Sequence, residues 1–190
     1  HQDNVQASFL LIAALALFTF ETLCVRLLNG VATPPQAVLF RSLAQLVVVG
    51  TWMLWRRQLP LLRSPHLKLH LARGIVSIVS WYLYYRSFQK LEFSLATLLS
   101  FASSLFVVLL AGPVLGERAH PVSWLATLAG FGGIALAAGA GGGAVSLEVI
   151  LGLAGAFFAA LLLFLTRKLA LVEDTVTIMM FIGLIVTTAA

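Results

Sequence analysis

Charge is what this chain has least of. Charged residues make up 10% of its 190 positions, seven acids against twelve Lys and Arg. A water-soluble domain carries about a quarter. So few charges cannot cover a surface facing water, which excludes a soluble globular domain. Hydrophobic residues fill 61% of the chain instead, so it reads as an integral membrane protein whose first partner is the lipid bilayer. Cysteine is nearly absent too. Cys24 stands alone inside an apolar run. That excludes an internal disulfide and a thiolate cluster, and leaves the residue a small buried hydrophobe. Enzyme signatures are missing: there is no H-E-x-x-H, no G-x-S-x-G and no nucleophile paired with a base. No enzyme, no cofactor and no metal is therefore expected. The net charge of +5 does not point to nucleic acid; it suits basic loops facing an anionic leaflet.

What the sequence does have is long apolar runs. Seven can be marked, at about 7–28, 37–55, 72–90, 93–112, 122–140, 148–166 and 175–190. They are too long and continuous for alternating barrel strands. Lengths near about twenty residues suit helices crossing a bilayer. The expected fold is all-α, a polytopic transmembrane helix bundle. The first run is not a cleaved signal peptide, because its leading segment carries Asp3 and no Lys or Arg. The chain opens on His1 and closes inside an apolar run, so a longer protein is expected.

Loop charge sets the orientation. Arg56, Arg57, Arg63, Lys68, Arg73, Arg118, Arg167 and Lys168 fall on one side, eight in all, against Arg26, Arg41, Arg86 and Lys90 on the other. The positive-inside rule makes the richer side cytoplasmic and puts the N-terminus there, in the cytoplasmic (inner) membrane. His66 and His70, four apart in the basic loop, read as solvated or headgroup-facing.

The run Gly139 to Ala144 is no phosphate loop, since no strand precedes it and no Lys follows. It reads as a flexible linker. It is also where a repeat would begin: a shift of 141 residues lays Arg26 and Leu28 on Arg167 and Leu169. Five helices per repeat, an odd number, would turn the second repeat upside down. The organisation expected is a first repeat over 1–140, a linker over 141–147, and the start of a second, inverted repeat over 148–190.

Glu21 is the carboxylate set deepest in an apolar run, roughly 10 Å from the end of its helix at 1.5 Å per residue. Arg41 lies roughly 7 Å from the same surface on the next helix. A carboxylate at that depth costs energy unless paired or wetted, so a Glu21–Arg41 pair is expected. It either fixes the first hairpin or lines a cavity. In the third segment, helical spacing places Ser77, Ser80, Trp81 and Tyr84 on one face; in the fourth it does the same for Thr97, Ser100, Phe101 and Ser104. Hydroxyls facing rings suit an amphipathic ligand, though Ser and Thr also serve helix packing and Tyr the interfacial belt. The small residues Ala126, Gly130, Gly133 and Ala137 of the fifth segment read as a packing stripe.

The stretch from Ser87 to Ala111, then Leu115-Gly-Glu-Arg118, Trp124-Leu and Gly130 to Gly139, resembles the EamA domain of the drug/metabolite transporter superfamily. A helix of small residues ends in a Gly-Glu-Arg turn and a Gly/Ala-rich helix follows. Arg41 is similar to an arginine often found near the start of that family's second helix. Ser104 stands where the family often has proline, and Pro113 comes later. The resemblance implies a secondary transporter of about ten helices, with its N-terminus inside and a cavity between two repeats, exporting amino acids, metabolites or drugs.

The function expected is export of a small amphipathic solute such as an amino acid. Glu21 is the coupling-ion candidate if transport is proton-driven. The alternatives are export of cationic drugs or nucleotide-like metabolites, or a non-transporting membrane scaffold. Buried charges count against the scaffold. Oligomeric state is left open.

Overall fold

The computed structural model describes residues 2–57, 64–116, 120–139 and 146–189. Among these, seven α-helices and no strand occur: α1 (Gln2–Leu27), α2 (Pro34–Trp55), α3 (Leu67–Lys90), α4 (Phe93–Leu115), α5 (Pro121–Gly139), α6 (Leu147–Ala170) and α7 (Thr175–Ala189). Each matches an apolar run read from the sequence. Four of them, α2, α4, α5 and α6, are long and apolar enough to cross a membrane. In α3 the run is interrupted by Lys68, Arg73, Arg86 and Lys90, and α7 has 15 residues. Glu117 and Arg118, the glycine-rich run at 140–145, and residues 58–63 of the basic loop, with Arg63, lie outside the described residues.

Local chemistry explains the helix ends. Pro34 and Pro35 open α2, where a missing N–H costs nothing. The Thr33 amide donates to Gln36 Oε1 at 2.8 Å, half of a capping box. Gly116 ends α4 at φ 70°, a left-handed turn that glycine takes without penalty. Ser146 caps α6, Glu148 sits in its first turn, and Arg167 and Lys168 sit in its last, each charge complementing the helix dipole.

Helix α3 is the hub, packed on α1, α2, α4, α6 and α7. Its closest neighbour is α6, and glycine makes the approach possible. A Cβ on Gly155 would lie 3.1 Å from Leu83 Cβ and 3.4 Å from the Tyr84 backbone nitrogen. Lipid offers little hydrophobic drive between helices, so close backbone contact supplies dispersion attraction instead. One core joins Val25, Val38, Tyr85, Phe88, Ala96 and Ile182; a second joins Leu99, Ala102, Ile134, Val149 and Ala156. Outside them, Phe9, Leu17, Phe40, Val48, Leu125 and Leu136 are more than half exposed. In water such a surface would aggregate; a bilayer covers it.

The small-residue stripe on α5 is not the face that packs. Ala126, Gly133 and Ala137 are exposed, and Thr127 and Ile134 are the residues buried. Gly130 alone of the stripe approaches α4, at Leu105. Ring packing sets the face here, through Phe131 against Phe106 at 5.1 Å, and outweighs residue smallness.

Neighbouring helices run in alternation. The Arg26 guanidinium donates to the Leu91 carbonyl at 2.7 Å, and Gln89 donates to the Ala32 carbonyl at 3.1 Å. These bonds tie the α1–α2 loop to the α3–α4 turn at one end. At the other end, Ser64 and His66 meet Glu173 of the α6–α7 turn.

Candidate functional site

Three helices converge on Glu21. Arg41 of α2 donates from Nε to Glu21 Oε1 at 2.8 Å. The Tyr85 hydroxyl of α3 donates to the same oxygen at 2.5 Å. The Arg41 guanidinium lies over the Trp81 ring, 3.7 Å from its centroid. The two charged side chains are each 33% exposed, while Tyr85 is 1% exposed. This answers the cost of a carboxylate at such depth: it is paired with Arg41 and accepts a second hydrogen bond from Tyr85. The guanidinium gains a further, cation–π attraction.

An aromatic wall backs the pair. Trp81 meets Tyr84 and Tyr85 at 5.6 Å each, and Tyr84 meets Phe88 at 4.5 Å and Phe18 of α1 at 5.9 Å. The buried Tyr84 hydroxyl faces Ser100 of α4 without a hydrogen bond of full geometry.

Beside Arg41 and Trp81 is a narrow cleft between α2, α3 and α7. It is lined by Val38, Arg41, Ser42, Gln45, Ser77, Trp81, Ile182 and Val186, and its volume is about 10 Å³. That is at the lower limit for one water molecule. Ser42 accepts from Thr187 at 3.0 Å, and Gln45 donates to the Met179 carbonyl at 3.0 Å. These bonds hold α2 against α7. The Ser77 hydroxyl is buried without a hydrogen-bond partner, which leaves an open polar position on the cleft wall.

The structure thus gathers Glu21, Arg41, Ser77, Trp81 and Tyr84 of the residues singled out in the sequence. It does not gather all of them. Ser80 donates to the Gly155 carbonyl at 3.2 Å and joins α3 to α6. Thr97 and Ser100 donate to carbonyls of their own helix, Phe93 and Thr97, at 2.7 Å each, and of the two Ser100 alone is brought beside the Tyr84 hydroxyl. Phe101, 64% exposed, and Ser104, also exposed, lie on the outer side of α4. Four residues at the site had not been singled out for it. Tyr85 follows Trp81 by four, so helical spacing alone puts it on the same face. Ser42 and Gln45 repeat the spacing of Val38 and Arg41. Thr187 carries no sequence signal beyond a hydroxyl in an apolar run.

A second polar cluster lies at the opposite end and corrects the view of its histidines. His66 Nδ1 is 3.1 Å from Glu173 Oε1, and Ser64 donates to the same oxygen. His70 is not solvated: it is 2% exposed and stacks on Phe181 at 4.3 Å. The reason is that α3 begins at Leu67, which places His70 in its first helical turn and against α7. The Ser64 hydrogen bond, aided by His66 and opposed by burial, holds the Glu173 carboxyl below its usual range. Burial pushes the His70 imidazole down, and Glu173 offsets part of that. Among the described residues, no group of three or more His, Cys, Asp or Glu is arranged to hold a metal ion.

A family model described as the EamA-like transporter family matches residues 6–139, from α1 to the end of α5. Comparisons with curated proteins and with solved structures return no match.

Proposed function

The chain belongs to the EamA-like transporter family of the drug/metabolite transporter superfamily and is a multi-pass membrane transporter, and from that premise we propose that it exports a small zwitterion such as an amino acid. The observation that carries this reading is the Glu21–Arg41 pair, one-third exposed and set against Trp81 beside the cleft. A substrate carboxylate replaces Glu21 on Arg41, and its ammonium takes the freed carboxylate. The aromatic wall receives the apolar part, and the Ser77 hydroxyl supplies one more polar contact. Glu21 and Arg41 stay paired through the exchange, so the desolvation cost falls on the two charged groups of the substrate. At about 10 Å³ the cleft is closed to any solute, so admission requires α2 and α7 to part at the Ser42–Thr187 and Gln45–Met179 bonds.

The same reading places the N-terminus and the Arg56 end in the cytoplasm of a cell whose inner membrane holds the protein; the excess of Lys and Arg at that end supports it. It takes α1–α5 as one repeat and α6–α7 as the opening of an inverted second. Support comes from the family match ending at residue 139, the last residue of α5. If transport is driven by protons, Glu21 carries them.

Thermal-shift measurements on the purified protein with amino acids, nucleotides, sugars and cationic dyes test the substrate class. Selective stabilisation by amino acids is expected. Selective stabilisation by dyes would replace the reading with cation export, for which Trp81 already shows an aromatic face that takes a guanidinium. Collapse of the pH gradient in proteoliposomes tests coupling: unchanged flux would remove the proton from the scheme.

A further inference from the structure

The Arg56 end of the bundle carries a polar cluster that takes no part in the Glu21 site. Helices α3 and α7 meet there along one seam. At its mouth, Ser64 and His66 Nδ1 hold Glu173 of the α6–α7 turn. Next, His70 stacks on Phe181 at 4.3 Å. Gly74 follows, and its missing side chain lets Ile185 of α7 lie against the helix. Ser77 comes next and lines the cleft with Ile182 and Val186 of α7. His70 and Ser77 are about two helical turns apart on one face of α3, about 10 Å along the axis. The His70 contact therefore closes the seam between the cleft and the Arg56 end.

Two nitrogens buried in this closure have no partner. His70 is 2% exposed and its Nε2 lacks a hydrogen bond, with Glu173 Oε1 4.0 Å away. Arg73 is 6% exposed; its Nε–H donates to Thr166 of α6 at 2.8 Å, and one of its terminal nitrogens lacks a partner. Among the described residues, no ion pair involves Arg73. Buried donors without acceptors disfavour the closed seam, and water admitted by opening would satisfy them.

The charges that act on His70 are His66 and Arg73 of its own helix and Glu173 of the α6–α7 turn. Helix α7 carries no ionisable side chain. Lys68, and Arg56, Arg57, Arg167, Lys168 and Asp174 of the neighbouring elements, are exposed. Burial is the largest influence and pushes the imidazole down, against the pull of Glu173. A proton on His70 sets a second cation beside buried Arg73, with water reaching neither. Separation of α3 from α7 hydrates both.

We propose that this seam is a proton-operated gate: a proton taken up by His70 parts the first turns of α3 from α7 and the α6–α7 turn, and opens the cleft towards the Arg56 end. Glu173 is the latch, because it carries both Ser64 and His66. Its carboxyl is held below its usual range, so it stays ionised at the acidity that titrates His70. Loss of the proton returns the ring to Phe181 and closes the seam. The gate rests on the seam alone and holds whichever solute the Glu21 site takes.

The test is a distance measurement between spin labels at Lys68→Cys and Val172→Cys, one on each side of the seam, in Cys24→Ser protein reconstituted in lipid without solute. Both positions are exposed. From about pH 8 to about pH 5 the ratio of separated to closed protein is expected to rise severalfold. Its ceiling is about thirtyfold, set by the ordinary histidine value of about 6.5 in the open state. His70→Gln and His70→Phe cannot take the proton, and Phe keeps a ring against Phe181; both are expected to lose the response. Glu173→Gln is expected to show the longer distance already at about pH 8. Distances that ignore pH in the unaltered seam, an undiminished response in both His70 variants, or a Glu173→Gln protein that matches the unaltered seam at every pH would each overturn the proposal. A wrong substrate class leaves these distances unchanged, since no solute is present, and a failed gate leaves the thermal-shift screen unchanged.

Discussion

Tyr85→Phe deletes one oxygen from the Glu21 site and leaves the ring that fills the core. Tyr85 is 1% exposed, so Phe occupies the same volume and opens no cavity. What is lost is the hydrogen bond to Glu21 Oε1. Bonds to charged groups contribute about 1.5–3 kcal/mol. Glu21 is one-third exposed and keeps its bond to Arg41 in the variant, so it is not left unpaired, which sets the expectation near the lower bound, about 1.5 kcal/mol. For a chain of this size that corresponds to a fall in melting temperature of roughly 3–6 °C. The assay is thermal unfolding in detergent of wild type, Tyr85→Phe, Glu21→Gln and the double variant. A hydrogen bond to a neutral amide is weaker, about 0.5–1.5 kcal/mol, so Tyr85→Phe should cost less when residue 21 is already Gln. An unchanged melting temperature in Tyr85→Phe, or equal losses in both backgrounds, would refute the three-helix arrangement.

Three further outcomes are expected. Gly152→Ala brings a Cβ to 2.8 Å from Leu99 Cδ1 and 2.9 Å from Ser87 Oγ, and should destabilise by about 1–3 kcal/mol; Gly133→Ala, with nothing within 4 Å, should be neutral or stabilise by up to about 1 kcal/mol through helix propensity. Arg41→Lys keeps the charge but loses the planar contact 3.7 Å over Trp81, so binding of the substrate identified by the thermal-shift screen should weaken while membrane insertion is unchanged. Acid should weaken the His66–Glu173 end in two steps. Burial holds His70 below its ordinary 6.5, with Arg73 and His66 pushing the same way and Glu173 opposing. The stability this contributes is therefore complete above pH 6.5 and is lost as pH falls below that through the folded value. Glu173 is held below 4.5, so its contribution is lost only below pH 4.5. Unfolding temperatures against pH should show the first step vanish in His70→Gln while the second remains.

The helices were legible because a run of some twenty apolar residues has few alternatives. The Glu21–Arg41 contact was legible because two lone charges at matching depth on helices joined by a short turn must answer each other. The limits came from faces. Spacing places Phe101 and Ser104 together but does not say whether that side of α4 meets protein or lipid. Residue size suggested Ala126, Gly133 and Ala137 as the packed side of α5, yet rings decided it. His70 looked solvated because it sits among basic residues, and what buries it, Phe181 and the α6–α7 turn, lies a hundred residues away in the chain. Tyr85 was hidden by its neighbour Tyr84, since two adjacent tyrosines near a helix end resemble an interfacial belt.

The central claim is that the Glu21–Arg41 pair handles the transported solute. Its most direct test is Glu21→Gln in proteoliposomes, with flux of the solute identified by the thermal-shift screen measured alongside the amount of inserted protein. Gln is close in size and keeps an acceptor for Tyr85, so folding and insertion should hold while flux falls about tenfold or more, the equivalent of one lost charge interaction. Wild-type flux from correctly inserted Glu21→Gln protein would contradict the account and leave the pair as a clasp for the first hairpin.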